Sequence, residues 1–266
     1  MIDVLLIGGK GNIGAGMRTY LPRLDGDYKL TSVDLPEAVD KSTEPDAQRT
    51  FVEMDVSEDD AGLRKLLEGR DLVVYLARER GLGKMNAMTD QVFGAVMDVC
   101  PEALIVGSSS VHATGGAYVP FDKEPYLAIA ERRFEDVDPW PDPLPATLAP
   151  CPIGDYGLSK AYVEDWAQRF GATGLHAVAA RWGGINAANK MTTETAYFSV
   201  WCHQEDSARF VDGCYKTKVA GRLKSGAHYY VISDNKYNIF DIETARNEIG
   251  YEPKWDAEEI EQAGSQ

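Results

Sequence analysis

No stretch of this chain approaches the ~20 consecutive apolar residues of a membrane-spanning helix. Its start lacks the basic, apolar and small-residue order of a secretory leader, because the first apolar run, Val4 to Ile7, passes straight into glycines. Basic charge is scarce: 27 Lys and Arg stand against 42 Asp and Glu, a formal charge of −15 at pH 7. A field of that sign repels nucleic acid and anionic membranes, which excludes both as partners. Cysteine is scarce too. Cys100, Cys151, Cys202 and Cys214 show no metal-site spacing and no Cys-x-x-Cys pair, and they do not cluster with His112, His176, His203 or His228. Neither a structural metal nor a disulfide framework is expected, as suits a soluble protein of the reducing cytoplasm. There is no internal repeat and no low-complexity segment.

Apolar residues make up 44% of the 266, enough for one large α/β domain with a small appended lobe. The most informative stretch is the first. Val4-Leu5-Leu6-Ile7 reads as a strand, and Gly8-Gly9-Lys10-Gly11-Asn12-Ile13-Gly14 as a tight turn opening a helix over 13–21. A dinucleotide needs that arrangement. Gly8 permits the turn, Gly11 lets the backbone approach a pyrophosphate, and Gly14 lets helix and strand pack. The phosphates then meet free N–H groups of Asn12 and Ile13 at the positive helix end.

Tyr28 to Val33 is a second strand ending in Asp34, placed to accept hydrogen bonds from both adenine-ribose hydroxyls and to repel a 2′-phosphate. This favours NAD over NADP. Residues 50–54 form a third strand, and Asp55-Val56 at its end could hold the adenine amino group and cover the ring. A helix over 57–67, capped by Ser57, follows. The continuous apolar run from Asp71 to Ala77 suits a parallel strand buried on both faces, with Leu76 and Ala77 at its cofactor end. Arg78-Glu79-Arg80 stands where open parallel sheets bind ligands. A helix over 85–100 and a strand over 103–106 lead into Gly107-Ser108-Ser109-Ser110. Residues 115–152 hold eight prolines and read as a long irregular connection, with one short helix over 127–134, of the kind that forms lids and binding loops. Tyr118 and Trp140 there could stack on a sugar or simply pin the loop. A helix over 156–170, a strand over 176–181, a loop over 183–191, a helix over 207–215, a strand over 229–232 and a helix over 242–249 closed by Gly250 complete the pattern. Alternating β and α elements give a Rossmann-type doubly wound parallel sheet.

Tyr156 and Lys160 lie four residues apart, hence on one face of a helix. A phenol acting as a base at neutral pH needs its phenolate stabilised, and a neighbouring ammonium does this. With the glycine loop, Asp34, Asp55-Val56, the serine strand and the late Ser233-Asp234-Asn235, the chain resembles, over nearly its whole length, an extended short-chain dehydrogenase/reductase of the NAD-dependent epimerase/dehydratase family. The resemblance implies a single domain over 1–266, with an NAD-binding core over about 1–181 and a small substrate lobe over about 182–258 joined by the loop 115–152. It also implies a Ser110, Tyr156, Lys160 catalytic set and a homodimer built on the helices over 85–100 and 156–170. Ser110 is the serine five residues before a glycine, Gly115.

Within that family the likeness is to uronate and aldose dehydrogenases. The stretch from Leu104 to Gly115 is similar to their strand and loop, in which His112 would touch the sugar. The resemblance implies substrate contacts from Arg78, Ser110, Val111, His112, Lys190 and Phe240. Val111 stands where uronate dehydrogenases carry Asn, and the 115–156 connection is longer than theirs. The expected activity is NAD-dependent oxidation of a small sugar-like substrate at C1, from an aldose or uronate to its lactone. A nucleotide-sugar epimerase with retained NAD, or a non-catalytic NAD-sensing module, is the alternative.

Overall fold

The computed structural model describes residues 1–264. Its elements are β1 (Ile2–Ile7), α1 (Asn12–Tyr20), β2 (Tyr28–Asp34), β3 (Phe51–Glu53), α2 (Asp60–Leu67), β4 (Leu72–Tyr75), α3 (Leu82–Val99), β5 (Leu104–Ser110), the short helices α4 (Gly115–Tyr118) and α5 (Tyr126–Ala130), α6 (Gly154–Ala172), β6 (His176–Trp182), the short α7 (Tyr197–Val200), α8 (Gln204–Val219), β7 (His228–Val231), α9 (Glu243–Ile249) and α10 (Ala257–Gly264). Seven strands form one sheet in the order β3-β2-β1-β4-β5-β6-β7, every neighbouring pair parallel. The order reverses between β1 and β4, so a crevice opens there at the carboxyl ends of the strands.

Side chains alternate across the sheet. Leu5 and Ile7 of β1 join Val73, Tyr75 and Ile105 in a core covered by α2, α3 and α6. Val4 and Leu6 join Leu72, Val74 and Leu104 beneath α1, α8 and α9. Both faces are dry, which is why the central strands read as unbroken apolar runs rather than alternating ones.

A third core ties the 115–152 connection to the C-terminal part through Tyr118, Phe121, Ile129, Trp201, Phe240 and Ile242. Phe134 stacks on Tyr237 with centroids 3.5 Å apart, and the Trp140 indole donates to the Asn238 carbonyl at 3.3 Å. Leu144 bridges to Phe240. Behind this segment the buried Arg181 makes a bidentate pair with Glu164 of α6 at 2.8 Å and donates to the carbonyls of Ala146 and Leu148. The connection is therefore docked on the body of the protein.

Several sequence expectations shift. β5 runs on through Ser110, because pairing with β6 continues to Ser110↔Trp182 and holds residues of weak strand preference in the ladder. α2 is capped by Asp59, whose Oδ1 accepts from the Gly62 amide at 2.8 Å; the Ser57 hydroxyl is taken by Asp55 at 2.7 Å. The helix expected over 127–134 ends at Ala130, and Arg132 then turns the chain with φ of +59°. α7 and α10 carry no signal that the sequence reading found. Among the described residues no helix is long and apolar enough to cross a membrane.

Candidate active site

Two adjoining depressions, each of about 590 Å³, run along the carboxyl edge of the sheet and share Gly8, Gly11, Leu76 and Arg78. Together they form one groove across the β1/β4 switch point. The glycine loop forms its floor. Gly8 has φ of +92°, and a Cβ there would lie 2.6 Å from the Ala77 amide nitrogen. A Cβ on Gly14 would meet the carbonyl oxygens of Gly9 and Gly8 at 2.6 and 2.7 Å. Gly11 differs. A Cβ there would meet only the Gly8 oxygen, at an ordinary 3.5 Å. The protein itself therefore leaves room for a side chain at 11, and the bare backbone is exposed to the groove. Gly11 also precedes α1 without any side-chain cap, so the first amides of that helix lack side-chain partners. A pyrophosphate fits this cradle.

In one depression Asp34 sits at the end of β2. Its Oδ2 accepts from the Lys10 amide at 2.7 Å and its Oδ1 from the Leu35 amide at 2.9 Å, which fixes the carboxylate with lone pairs still available. Asp55 is likewise fixed, by the amide and hydroxyl of Ser57, and Val56 is buried beside it. Asp34, Asp55, Val56, Leu76 and Ala77 all line this depression. The residues expected to hold an adenosine are thus gathered in one place, and their chemistry fits a ribose diol and an adenine amino group.

The other depression gathers Ser110, Tyr156 and Lys160, the residues expected to carry the chemistry. Ser108 and Ser110 point to one face of β5 and Ser109 to the other. The Ser109 hydroxyl donates to buried Glu164 at 2.6 Å, whereas the Ser110 hydroxyl, on the groove lining, donates to the Trp182 carbonyl at a long 3.5 Å. The Ser110 Oγ accepts from the His112 amide at 3.3 Å. Tyr156 and Lys160 approach from α6. Gly157 makes this possible, since a Cβ there would collide with the His112 carbonyl at 2.6 Å. The His112 and Tyr156 rings then meet edge to face with centroids 5.6 Å apart.

Lys160 is 2% exposed, and its Nζ donates to the Ser108 carbonyl at 2.9 Å and lies 5.5 Å from the Tyr156 ring centroid. Burial, and secondarily the Arg78 guanidinium, push the Lys160 ammonium down to about 7. Burial lowers His112 as well, favouring the neutral imidazole. Arg78 lies over the Tyr156 ring, 4.6 Å from its centroid. Among the described residues its guanidinium makes no ion pair; Glu79 instead accepts from the Arg80 amide at 3.1 Å.

The structure separates two expected substrate residues from this cleft. Phe240 is 1% exposed, packed on Tyr118 and Tyr230 in the third core. The Lys190 side chain is exposed outside the lining, where its backbone is held by Asn186. Tyr118 and Trp140 also stay out of the cleft. The opposite wall is instead Trp182 to Asn186, with Thr192, Glu194 and Tyr197. The sequence puts this stretch within the small substrate lobe over about 182–258 but points to Lys190 alone of it as a contact. The one available signal was its position directly after β6, at the same sheet edge as the glycine loop. No group of three or more His, Cys, Asp or Glu among the described residues could hold a metal ion.

No family model matches the chain. An NAD-dependent glucose-6-phosphate dehydrogenase of Haloferax volcanii is 26% identical over 265 residues, spanning 94% of this chain and 92% of that protein. Among solved structures, a uronate dehydrogenase of Agrobacterium tumefaciens superposes with a TM-score of 0.73 at 18% identity, covering 100% of this chain and 89% of that one. A dTDP-glucose 4,6-dehydratase of Bacillus anthracis, solved with NAD, superposes with a TM-score of 0.68 at 15% identity, covering 98% and 94%. The parallel sheet, the glycine cradle at its switch point and these likenesses identify the fold as that of the extended short-chain dehydrogenases/reductases, the NAD-dependent epimerase/dehydratase type.

Proposed function

We propose that the protein is a cytoplasmic NAD-dependent dehydrogenase that oxidises a small sugar at C1, taking an aldose or uronate to its lactone. The observation that carries this reading is the convergence of Ser110, Tyr156 and Lys160 on the same groove as the glycine cradle. Gly8, Gly11, Asn12, Ile13 and Gly14 would hold the pyrophosphate, and Asp34, Asp55, Val56, Leu76 and Ala77 the adenosine. When bound, the nicotinamide supplies the hydride acceptor.

Tyr156 accepts the proton of the sugar hydroxyl. Ser110 holds that oxygen by a hydrogen bond and turns it toward Tyr156. The Lys160 ammonium, fixed on the Ser108 carbonyl beside the ring, stabilises the phenolate electrostatically and is placed to reach the nicotinamide ribose. Val111 and His112 shape the sugar subsite, His112 as a neutral hydrogen-bonding ring. Arg78, with no carboxylate partner, is placed to pair with an anionic group on the sugar. A phosphate or carboxylate on the substrate agrees with the names of the relatives, a glucose-6-phosphate and a uronate dehydrogenase. A homodimer through α3 and α6 is part of the same reading.

The test is the absorbance of reduced nicotinamide with NAD or NADP against free aldoses, uronates and sugar phosphates. Tyr156→Phe is expected to lower turnover by at least about 10²-fold while leaving NAD affinity within about threefold. Turnover near wild type in that variant would remove Tyr156 from the chemistry. Tightly retained NAD with no net reduction would favour an epimerase.

A further inference from the structure

The two sides of the groove are joined by side-chain amides. Asn12, the first residue of α1, donates from Nδ2 to the Ile185 carbonyl at 3.0 Å. Its own carbonyl accepts from Gln204 Nε2 at 2.7 Å. Gln204, at the start of α8 and 2% exposed, is paired twice with Asn189. Its amide donates to Asn189 Oδ1 at 2.9 Å, and its Oε1 accepts from Asn189 Nδ2 at 3.3 Å. The residue that opens the pyrophosphate cradle is therefore fastened directly to segment 183–194, which forms the opposite wall of the cleft.

Packing leaves this fastening little slack. A Cβ on Gly16 would lie 2.7 Å from the Gln204 Cβ, so α1 and α8 are in close contact at the start of α8. The segment it holds is anchored at its start, where the Gly183 and Gly184 amides donate to the carbonyls of Val231 and Val200 at 3.0 and 2.8 Å and the Gly184 carbonyl accepts from the Cys202 amide at 3.0 Å. It contains no helix or strand, and Asn189 sits in the left-handed region with φ of +50°. Beyond Gly184, apart from the amide chain, it is held by Ile185 and Met191 packing on the neighbouring cores, by Asn186, which bonds Lys190 and Tyr197, and by Thr43, whose hydroxyl donates to the Ala187 carbonyl at 3.1 Å.

We propose that Gln204 and Asn189 are positioning residues that couple cofactor occupancy at the start of α1 to the order of the substrate wall 183–194, so that sugar binds to a site the dinucleotide has set. The proposal rests on the dinucleotide-binding reading. A pyrophosphate hydrogen-bonded to the Asn12 and Ile13 amides fixes the Asn12 peptide. The Asn12 carbonyl and carboxamide then present one geometry to Gln204 and Ile185, and the wall is held in one place. The ligand favours the ordered state because only that state offers it aligned amides, as a population shift requires. Linkage makes the coupling reciprocal: sugar should tighten the dinucleotide by the same factor.

The experiment is hydrogen exchange of the full-length protein with and without NAD, with NAD affinity measured in parallel. In the wild type, NAD should slow exchange over 183–194 by at least about fivefold, within the range of ordinary coupling. Gln204→Met keeps the length of the side chain and removes its polar contacts. It should still bind NAD within about threefold of wild-type affinity yet lose most of that protection. Asn189→Ser, on the surface side of the chain of amides, should do the same and serves if Gln204→Met fails to fold. A purely structural role would loosen the segment equally with and without NAD. NAD-induced protection that survives in both variants, or is absent in NAD-bound wild type, overturns the coupling. Failure of the wild type to bind NAD overturns the coupling together with the cofactor reading beneath it, and is recognised by the affinity measurement alone.

Discussion

Lys160 is a buried cation whose burial works against stability. An unfolded lysine holds its proton to about pH 10.4, whereas burial, helped by Arg78, brings this one to about 7 in the folded protein. Between those values the unfolded chain binds more protons than the folded one, so stability should rise with pH across that window. Below pH 7 the folded protein carries a buried ammonium and the penalty is complete. Lys160→Met should therefore stabilise the cofactor-free protein at pH 6, by a few kcal/mol at about 1.36 kcal/mol per unit, and flatten the rise between pH 7 and 10. Denaturant melts of both proteins at pH 6 and 9 would show it; identical pH slopes would contradict it. The same variant should lose turnover.

Arg78 makes a second prediction at this scale. Its guanidinium lies against the Tyr156 ring, and among the described residues no carboxylate pairs with it. Arg78→Met should raise KM for an anionic sugar by about ten- to hundredfold, the worth of a charged hydrogen-bonded pair, and leave a neutral aldose nearly unaffected. Lysine at this position should restore only part of the affinity, because an ammonium cannot pair two oxygens in the planar fork geometry. Equal loss with both sugars would show that Arg78 does not read the anion. The residue was legible in the sequence as a cation after a central strand. Its stacking on Tyr156 was not, because the two residues are brought together only by the packing of α6 on β5 and β6.

Among the elements, the glycine loop divides into positions that the fold leaves no room to substitute, Gly8 and Gly14, and one, Gly11, where it leaves room for a side chain. Gly14→Ala drives a methyl into two backbone oxygens and should destabilise the protein by roughly 1–3 kcal/mol, as overpacking does. Gly11→Ala has room within the protein and should melt within about 1 kcal/mol of wild type, yet bind NAD at least tenfold more weakly, since the methyl points into the cradle. Thermal melts and NAD titrations of the two variants separate the effects. A Gly11→Ala protein with unchanged NAD affinity would remove the pyrophosphate from this loop.

Elements with strong local signals lay close to where the sequence placed them. β1, β2, β4, β6, α1, α3, α6 and the Gly250-closed α9 depend on apolar runs, helical spacing and a left-handed terminator, all of which act over a few residues. The misplaced ones depend on distant partners. The serines of β5 are strand because β6 pairs with them. Segment 115–152 holds its shape because Arg181, Phe240, Asn238 and Tyr237 receive it.

At the scale of the whole molecule, the outer face of α3 and α6 is the surface to watch. Met97 is 43% exposed and Leu158 45%, on helices that pack against each other along one side of the protein. Burying such side chains against a second copy is favourable by about 1.5–3 kcal/mol each when complete. A homodimer built there should be seen by light scattering, and Leu158→Glu should shift it to monomer. A monomeric wild type at micromolar concentration would overturn this assembly. The charge of −15 sets the same experiment's conditions, because repulsion between two acidic copies is screened only as salt is added.

The alternation of elements, the doubly wound sheet, the glycine turn, Asp34 at a strand end and the shared helix face of Tyr156 and Lys160 are all written in local residue order. Each follows from spacing along a few turns or one strand, where backbone geometry alone relates residue to residue. Packing between distant residues keeps Lys190 and Phe240 out of the cleft, stacks Arg78 on Tyr156 and makes the stretch after β6 the far wall. Those outcomes depend on contacts such as Asn12 to Ile185, which are 173 residues apart in the chain. Their meeting is set by how helices of different crossovers pack on the sheet, a relation that no local periodicity records.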